Sequence, residues 1–266
     1  MPYISSSDGT QIFYEVLGEG DIVLVFVGGL GAPTGTMNWE YQLSFSSKYK
    51  LVLIDLAGHG KSQTTRENYT MPLYGQDVKA VVEHLDLTNV ILIGPSLGGA
   101  VILEAERLIP ERTLGLIPVD SLFPISSFPN SLFERLDDEQ IREILKLYEE
   151  DFVAAFTALF ESMLSDKWTP EAIKLFGDSI PQLDERSMIS SLIEACKWDF
   201  LEVLPEIKKP IKPIVAGRTL PEKTMREEYN RIFDAVYLEG IGHIMNLEDP
   251  EAFNTILQSR IKEMLN

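Results

Sequence analysis

The stretch that most constrains this chain is Val90-Ile91-Leu92-Ile93-Gly94-Pro95-Ser96-Leu97-Gly98-Gly99-Ala100. A short, wholly apolar run passes into Gly-x-Ser-x-Gly and then into residues that suit a helix. An apolar run of this length, bounded by turn residues, reads as a strand buried on both faces. Glycines two positions either side of a serine are what a sharp strand-to-helix reversal needs, because larger side chains would collide as the chain turns back. The turn holds the serine hydroxyl out at the strand's carboxyl end, so Ser96 is the candidate nucleophile.

The rest of the chain is read around this turn. Gln11 to Leu17 is rich in strand formers and follows the turn signal Asp8-Gly9, which predicts a hairpin. Ile22 to Val27 and Leu51 to Asp55 are further buried strands, ending in Gly28-Gly29-Leu30-Gly31 and in Ala57-Gly58-His59-Gly60-Lys61-Ser62. Apolar residues at 78, 81, 82 and 85 give helical spacing over Leu73 to Leu87. A helix over Ala100 to Leu108 and a strand over Leu114 to Val119 follow, the latter ending at Asp120. Strand and helix alternate throughout, which predicts an α/β fold: a mostly parallel sheet with helices on both faces.

Between residues 121 and 205 the alternation stops. Amphipathic helices are expected over Asp137 to Asp151, Phe152 to Leu164, Thr169 to Phe176 and Asp184 to Lys197. The region carries seventeen acidic against seven basic side chains, more than half the excess behind the chain's net charge of −18. It reads as a helical insertion lying over the sheet, with residues 1–120 and 206–266 forming the core. Strands at Ile211 to Ala216 and Ala235 to Leu238, and helices over Pro221 to Phe233 and Pro250 to Leu265, complete it.

A serine hydroxyl is a poor nucleophile near neutral pH and needs a base oriented by a carboxylate. The chain has three histidines. His84 falls on the polar face of its helix, in line with Asp77 and Ala80, and reads as solvated. His59, inside Gly-His-Gly, suits a structural role. His243 lies in Gly240-Ile241-Gly242-His243, just after the last strand, where open α/β sheets meet their ligands, and it is the candidate base.

Three stretches together carry a family likeness: Asp55-Leu56-Ala57-Gly58-His59-Gly60-Lys61-Ser62, Gly94-Pro95-Ser96-Leu97-Gly98-Gly99, and Gly240-Ile241-Gly242-His243 with Leu247-Glu248-Asp249-Pro250-Glu251-Ala252-Phe253. On these residues the chain resembles the α/β-hydrolase superfamily, in the branch that bears a helical cap and a serine nucleophile. The resemblance implies the α/β-hydrolase fold with residues 121–205 as the cap, and a Ser-His-acid triad. Relatives often place the acid in a Gly-x-x-Asp turn after the strand that follows the cap, but that turn here reads Gly217-Arg218-Thr219-Leu220. The superfamily's other acid position is filled by Asp120, which makes Asp120 the expected acid and the nearby Glu222 the fallback. The order Ser96, Asp120, His243 fits the fold. The amides of Leu97 and Leu30 are the expected oxyanion donors; the His-Gly pair that usually precedes the second donor reads Gly28-Gly29.

The reading that follows is a serine hydrolase acting on a small, largely apolar carboxylic ester or related acyl compound. Carbon–carbon bond hydrolases, lactonases and cofactor-free oxygenases or perhydrolases share the constellation, and a non-catalytic small-molecule receptor on the same fold is the reading from a different class. Ser96 in place of an elbow aspartate argues against the dehalogenase and epoxide-hydrolase relatives. The acidic balance argues against nucleic acid and anionic membranes as partners. No cofactor and no metal is expected, since the histidines are far apart and the Gly-rich loop at 28–31 lacks a Gly-Lys-Ser/Thr ending. Lone Cys196, the absence of a basic-then-apolar leader at Met1 to Ser5, and the lack of an apolar run of membrane length give the expectation of a soluble, cytoplasmic protein. Oligomeric state is not legible.

Overall fold

Alternate residues of the apolar runs go to opposite faces of one sheet, which is why those runs are unbroken. Val23, Val25 and Val27 join one apolar layer and Leu24 and Phe26 the other; Val52 and Ile54 face Leu51 and Leu53 in the same way, and Val90 and Leu92 face Ile91 and Ile93. A period of two with both faces covered leaves no polar position. The computed structural model describes residues 2–32, 35–63, 65–122, 138–165, 167–168, 180, 183–220 and 223–265.

The strands are β1 (Tyr3–Ser5), β2 (Gln11–Leu17), β3 (Val23–Val27), β4 (Lys50–Ile54), β5 (Val90–Pro95), β6 (Thr113–Val119), β7 (Ile214–Ala216) and β8 (Val236–Leu238). They form an eight-stranded sheet in the order β1-β2-β4-β3-β5-β6-β7-β8. β1 and β2 make the expected hairpin, β2 meets β4 antiparallel, and every later pairing is parallel. From β3 the chain steps outward to β4, then returns to the other side of β3 as β5. Successive connections therefore leave in opposite directions between β3 and β5, and the carboxyl ends of those two strands flank a crevice.

The longer helices are α1 (Met71–His84), α2 (Leu97–Leu108), α3 (Asp138–Glu150), α4 (Phe152–Met163), α5 (Glu185–Lys197), α6 (Lys223–Ile232) and α7 (Pro250–Leu265). α1, α2 and α6 cover one face of the sheet; α7, with Trp39 and Phe45, covers the other. The helix expected over residues 169–176 lies outside the described residues. β7 is shorter than the expected strand from Ile211. Pro213 has no N–H to give to a ladder, so Ile211 makes only an isolated bridge to Leu116 and regular pairing begins at Ile214.

α3, α4 and α5 follow β6 and precede β7. Phe152, Phe156 and Phe160 of α4 recur at four-residue intervals and pack with Tyr148, Ile180 and Met188 into a small core of their own, against which Leu30 and Ile244 rest. Serines seat α5 on the sheet domain: Ser187 Oγ donates to Gly58 O at 3.2 Å, Ser190 Oγ accepts from Tyr69 N at 3.1 Å, and Ser191 Oγ bonds Tyr74 Oη at 2.6 Å.

One expectation on α1 needs correction. His84 is exposed, but Asp77 is fully buried and takes two bonds from the buried Arg66, at 2.5 and 2.7 Å. A polar residue in helical register faced a buried cation instead of solvent.

The turn after β5 leaves no room for side chains on its glycines. A Cβ on Gly94 would run into the carbonyl of Gly98 and come within 3.0 Å of Val27 Cγ2; one on Gly98 would lie 2.6 Å from the carbonyl of Gly28. Because backbone atoms cannot swing aside, Gly94→Ala is expected to cost on the order of 3 kcal/mol of stability, read as a lower urea midpoint at unchanged slope. An unshifted midpoint would contradict this packing.

Candidate active site

Ser96 stands at the amino end of α2 with φ 51° and ψ −122°, a conformation that L-residues avoid. The turn is held by its own backbone, with Ser96 N bonded to Val119 O at 3.0 Å and Ser96 O accepting from Gly99 N at 2.9 Å and from Ser121 Oγ at 2.5 Å. Asp120, at the end of β6, also has positive φ, at 46°. Two strained non-glycine residues at adjacent strand ends mark a place where the surrounding structure dictates the backbone.

Asp120 is 0% exposed and both of its carboxylate oxygens are bonded. Oδ1 accepts from Ala216 N at 2.8 Å, and Oδ2 accepts from Thr219 Oγ1 at 2.7 Å and lies 2.6 Å from His243 Nδ1. A carboxylate only accepts, so Nδ1 carries the proton and Nε2 is left with its lone pair free. Next to this group, burial and then the Asp120 charge push the Tyr229 hydroxyl well above its ordinary pKa; it stays protonated and donates to Ser121 O at 2.9 Å.

The loop that carries His243 is tied to the segment that lies between β6 and β7. His243 N bonds Met163 O at 3.1 Å. Glu248 accepts from Gly242 N at 3.0 Å, from Trp168 Nε1 at 3.0 Å and from Ser165 Oγ. His243, carried on the chain that follows β8, is thus tied to the end of α4.

Ser96 and His243 line one cavity of about 200 Å³, together with Leu30 and Leu97. Among the described residues Ser96 Oγ makes no hydrogen bond. Most of the wall is apolar and includes Phe156, Phe160 and Met163 of α4. Cys196 also lines it, but burial pushes its thiol up to about 11, so the thiol is protonated at neutral pH. A Cβ on Gly28 would come within 2.8 Å of Ala32 Cβ, so the loop after β3 is shaped around the glycine found there. Glu222 lies outside the described residues. No group of three or more His, Cys, Asp or Glu among the described residues could hold a metal ion, and no described helix is long and apolar enough to cross a membrane.

A strained serine at a strand–helix turn, a histidine after the last strand and a buried carboxylate against that histidine's Nδ1, on a sheet with this strand order, are the parts that one widespread fold assembles. The profile of the alpha/beta hydrolase fold matches residues 22–167. The chain belongs to the α/β hydrolase fold family. A non-heme haloperoxidase of Rhodococcus erythropolis is 36% identical over 119 residues, 44% of this chain and 41% of the relative. A bifunctional esterase/perhydrolase of Acinetobacter calcoaceticus is 35% identical over 101 residues, 37% of this chain and 36% of the relative. The chain spans less than half the length of these curated relatives. Among solved structures, an esterase from Exiguobacterium antarcticum superposes with a TM-score of 0.84 at 21% identity, covering 98% of both chains, which is a likeness of fold.

His59 is 3% exposed; its Nδ1 faces Ala57 O at 3.1 Å, and its buried Nε2 has no hydrogen-bond partner among the described residues. Burial lowers its pKa from 6.5 to about 4. The unfolded chain therefore takes up a proton between these values that the folded chain refuses, and stability falls as pH drops through that window. From about pH 7 to about pH 5 the loss is about 2 kcal/mol. Urea titrations at the two pH values are expected to show this loss in the native protein and a smaller one in His59→Asn; equal losses would contradict it.

Neither Thr219 nor Glu248 was singled out in the sequence for a role at this site. Both act through hydrogen bonds that span long stretches of chain, which no local pattern reports. The only signal was indirect: the turn where relatives carry an acid ends here in Thr219-Leu220.

Proposed function

We propose that this α/β hydrolase is a serine esterase that cleaves a small, largely apolar carboxylic ester through an acyl-enzyme on Ser96. The observation that carries this reading is the 2.6 Å contact between His243 Nδ1 and the buried Asp120 Oδ2, at a cavity that His243 shares with Ser96. With Nδ1 committed to Asp120, Nε2 is free to take the Ser96 proton as Oγ attacks the carbonyl carbon. The negative charge that develops on the carbonyl oxygen is met by the amides of Leu30 and Leu97. Collapse of the tetrahedral adduct expels the alcohol, which takes its proton from His243. Water, deprotonated by His243 in turn, then attacks the acyl-serine and releases the carboxylic acid.

The apolar wall formed by Phe156, Phe160 and Met163 supports an apolar acyl or alcohol group, and a cavity of about 200 Å³ supports a small one. In the same reading, residues 121–205 act as a cap over the site. The test is a series of p-nitrophenyl esters of increasing acyl length. Turnover confined to short and medium acyl chains, with an initial burst of nitrophenol equal to the enzyme, is expected. A folded protein that turns over none of them, but is stabilised by an apolar ligand it does not consume, would support a receptor instead.

The haloperoxidase and esterase/perhydrolase relatives favour a second reading at the same serine. Hydrogen peroxide would replace water as the attacking group on the acyl-enzyme and release a peracid. Peroxide added to the ester assay then yields peracid at the expense of acid; no peracid at any peroxide concentration would exclude it.

A further inference from the structure

The turn Gly217-Arg218-Thr219-Leu220 stands where relatives of this fold often carry the acid, yet it holds no carboxylate. The side chain at its fourth position, Leu220, is fully buried in the apolar layer beside α1 and α2. The turn is nevertheless built with care. Thr219 N bonds Ala216 O at 3.1 Å, and Arg226 of α6 donates to Leu220 O at 2.7 Å and to Gly217 O at 3.2 Å. The same guanidinium pairs with Glu239 through both carboxylate oxygens, at 2.6 and 3.0 Å, which fastens the turn to the end of β8. One side chain from this clamped turn reaches the site: Thr219 Oγ1 donates to Asp120 Oδ2.

We propose that Thr219 is a positioning residue for the acid: the clamped turn carries no carboxylate itself and holds the one supplied by β6. The inference rests on the triad reading of Asp120. Oδ2 accepts from both Thr219 and His243, while Oδ1 is occupied by Ala216 N. Two donors on one oxygen, with the other oxygen pinned, leave the carboxylate a single orientation, and the imidazole plane follows it. The hydroxyl also draws charge from the oxygen that stabilises an imidazolium, so its removal favours protonated His243.

Other charged or titratable groups near this pair are few and fixed. Tyr229 of α6 is kept protonated and donates to Ser121 O; Glu248 is bonded to Gly242 and Trp168; the Arg226–Glu239 pair binds the turn. On the cavity wall, Cys196 is held as a thiol by burial and Asp199 accepts from Leu201 N at 2.9 Å. None of them contacts Thr219 Oγ1, so its loss is read by Asp120 and His243.

The experiment measures kcat, KM and the pH profile of kcat/KM on a p-nitrophenyl ester for Thr219→Val, Thr219→Ala and Thr219→Ser, with Asp120→Asn alongside. Thr219→Val, which keeps the branched shape, is expected to lower kcat by about tenfold with KM unchanged, because Thr219 does not line the cavity. The acidic limb is expected to move to higher pH by about half a unit. Thr219→Ser should restore both. Thr219→Ala gives the same reading should the valine variant fail to fold. A tenfold loss with no movement of the limb, or no rescue by serine, would mean a merely structural role and overturn the inference. Native kinetics in both the valine and alanine variants, with Asp120→Asn inactive, would also overturn it and leave the triad standing. An active Asp120→Asn would instead remove the triad reading on which it rests.

Discussion

Replacing Asp120 with asparagine is expected to lower kcat on an ester by about 10⁴-fold while leaving the fold and KM close to native. The geometry gives the reason. Oδ1 is committed to Ala216 N, so the carboxamide oxygen keeps that place and its NH₂ group replaces Oδ2 beside His243. Two donors cannot face each other, so Nδ1 must lose its proton and Nε2 must carry it. The base then presents a proton to Ser96 where it needs a lone pair. Thr219 is able to turn its hydroxyl round and accept from the amide, so the buried site stays satisfied and stability is kept. The check is steady-state kinetics with urea unfolding on the same preparation. A variant within tenfold of native activity would show that another group orients His243.

The largest expected effect is that of Ser96→Ala, a loss in kcat of about 10⁶-fold with ligand binding retained. The substitution removes the attacking oxygen and little else. The backbone at 96 is fixed by bonds to Val119, Gly99 and Ser121 that do not involve Oγ. Alanine tolerates the same strained φ no worse than serine does, and the neighbouring glycines still provide the close approach. A melting temperature near native, raised by a non-hydrolysable apolar ester analogue as in the native protein, separates lost chemistry from lost structure. Activity surviving at more than a small fraction of native would place the nucleophile elsewhere.

Much of the sheet was legible because its constraints are local. Buried parallel strands advertise themselves as unbroken apolar runs, and Val90 to Ile93 is followed by a motif whose glycines admit one kind of turn. The last helix could be read to its ends, since Pro250 suits a first helical position and the apolar spacing runs on to Leu265. Where an interaction joins distant parts of the chain, the sequence carried no mark of it. Asp77 looked like a solvent-facing residue because helical register reports a face and not what lies opposite; Arg66, on a separate segment, makes that face an interior. β7 was overread because Ile211 and the run from Ile214 are apolar, although Pro213 between them cannot pair.

The same distinction applies to the site. Ser96 and His243 were readable from glycine-flanked turns at strand ends. Asp120 was reached by the emptiness of the turn at 217–220, a comparison between positions instead of a local signal. That this turn still reaches the acid, through Thr219 held by an Arg226 clamp, depends on hydrogen bonds across 99 and 9 residues of chain and had no signature to read. The ties from Glu248 to Ser165 and Trp168, which set the histidine loop against the chain that follows α4, were invisible for the same reason.

The most direct measurement of the central claim is labelling by a fluorophosphonate, which reports an activated serine without any assumption about the natural ester. Native protein is predicted to take up one equivalent, localised by peptide mass spectrometry to Ser96, and to label orders of magnitude more slowly in Asp120→Asn and His243→Ala. A folded protein that resists the probe, or labels at Ser96 with equal speed in all three, would contradict an Asp120–His243–Ser96 triad.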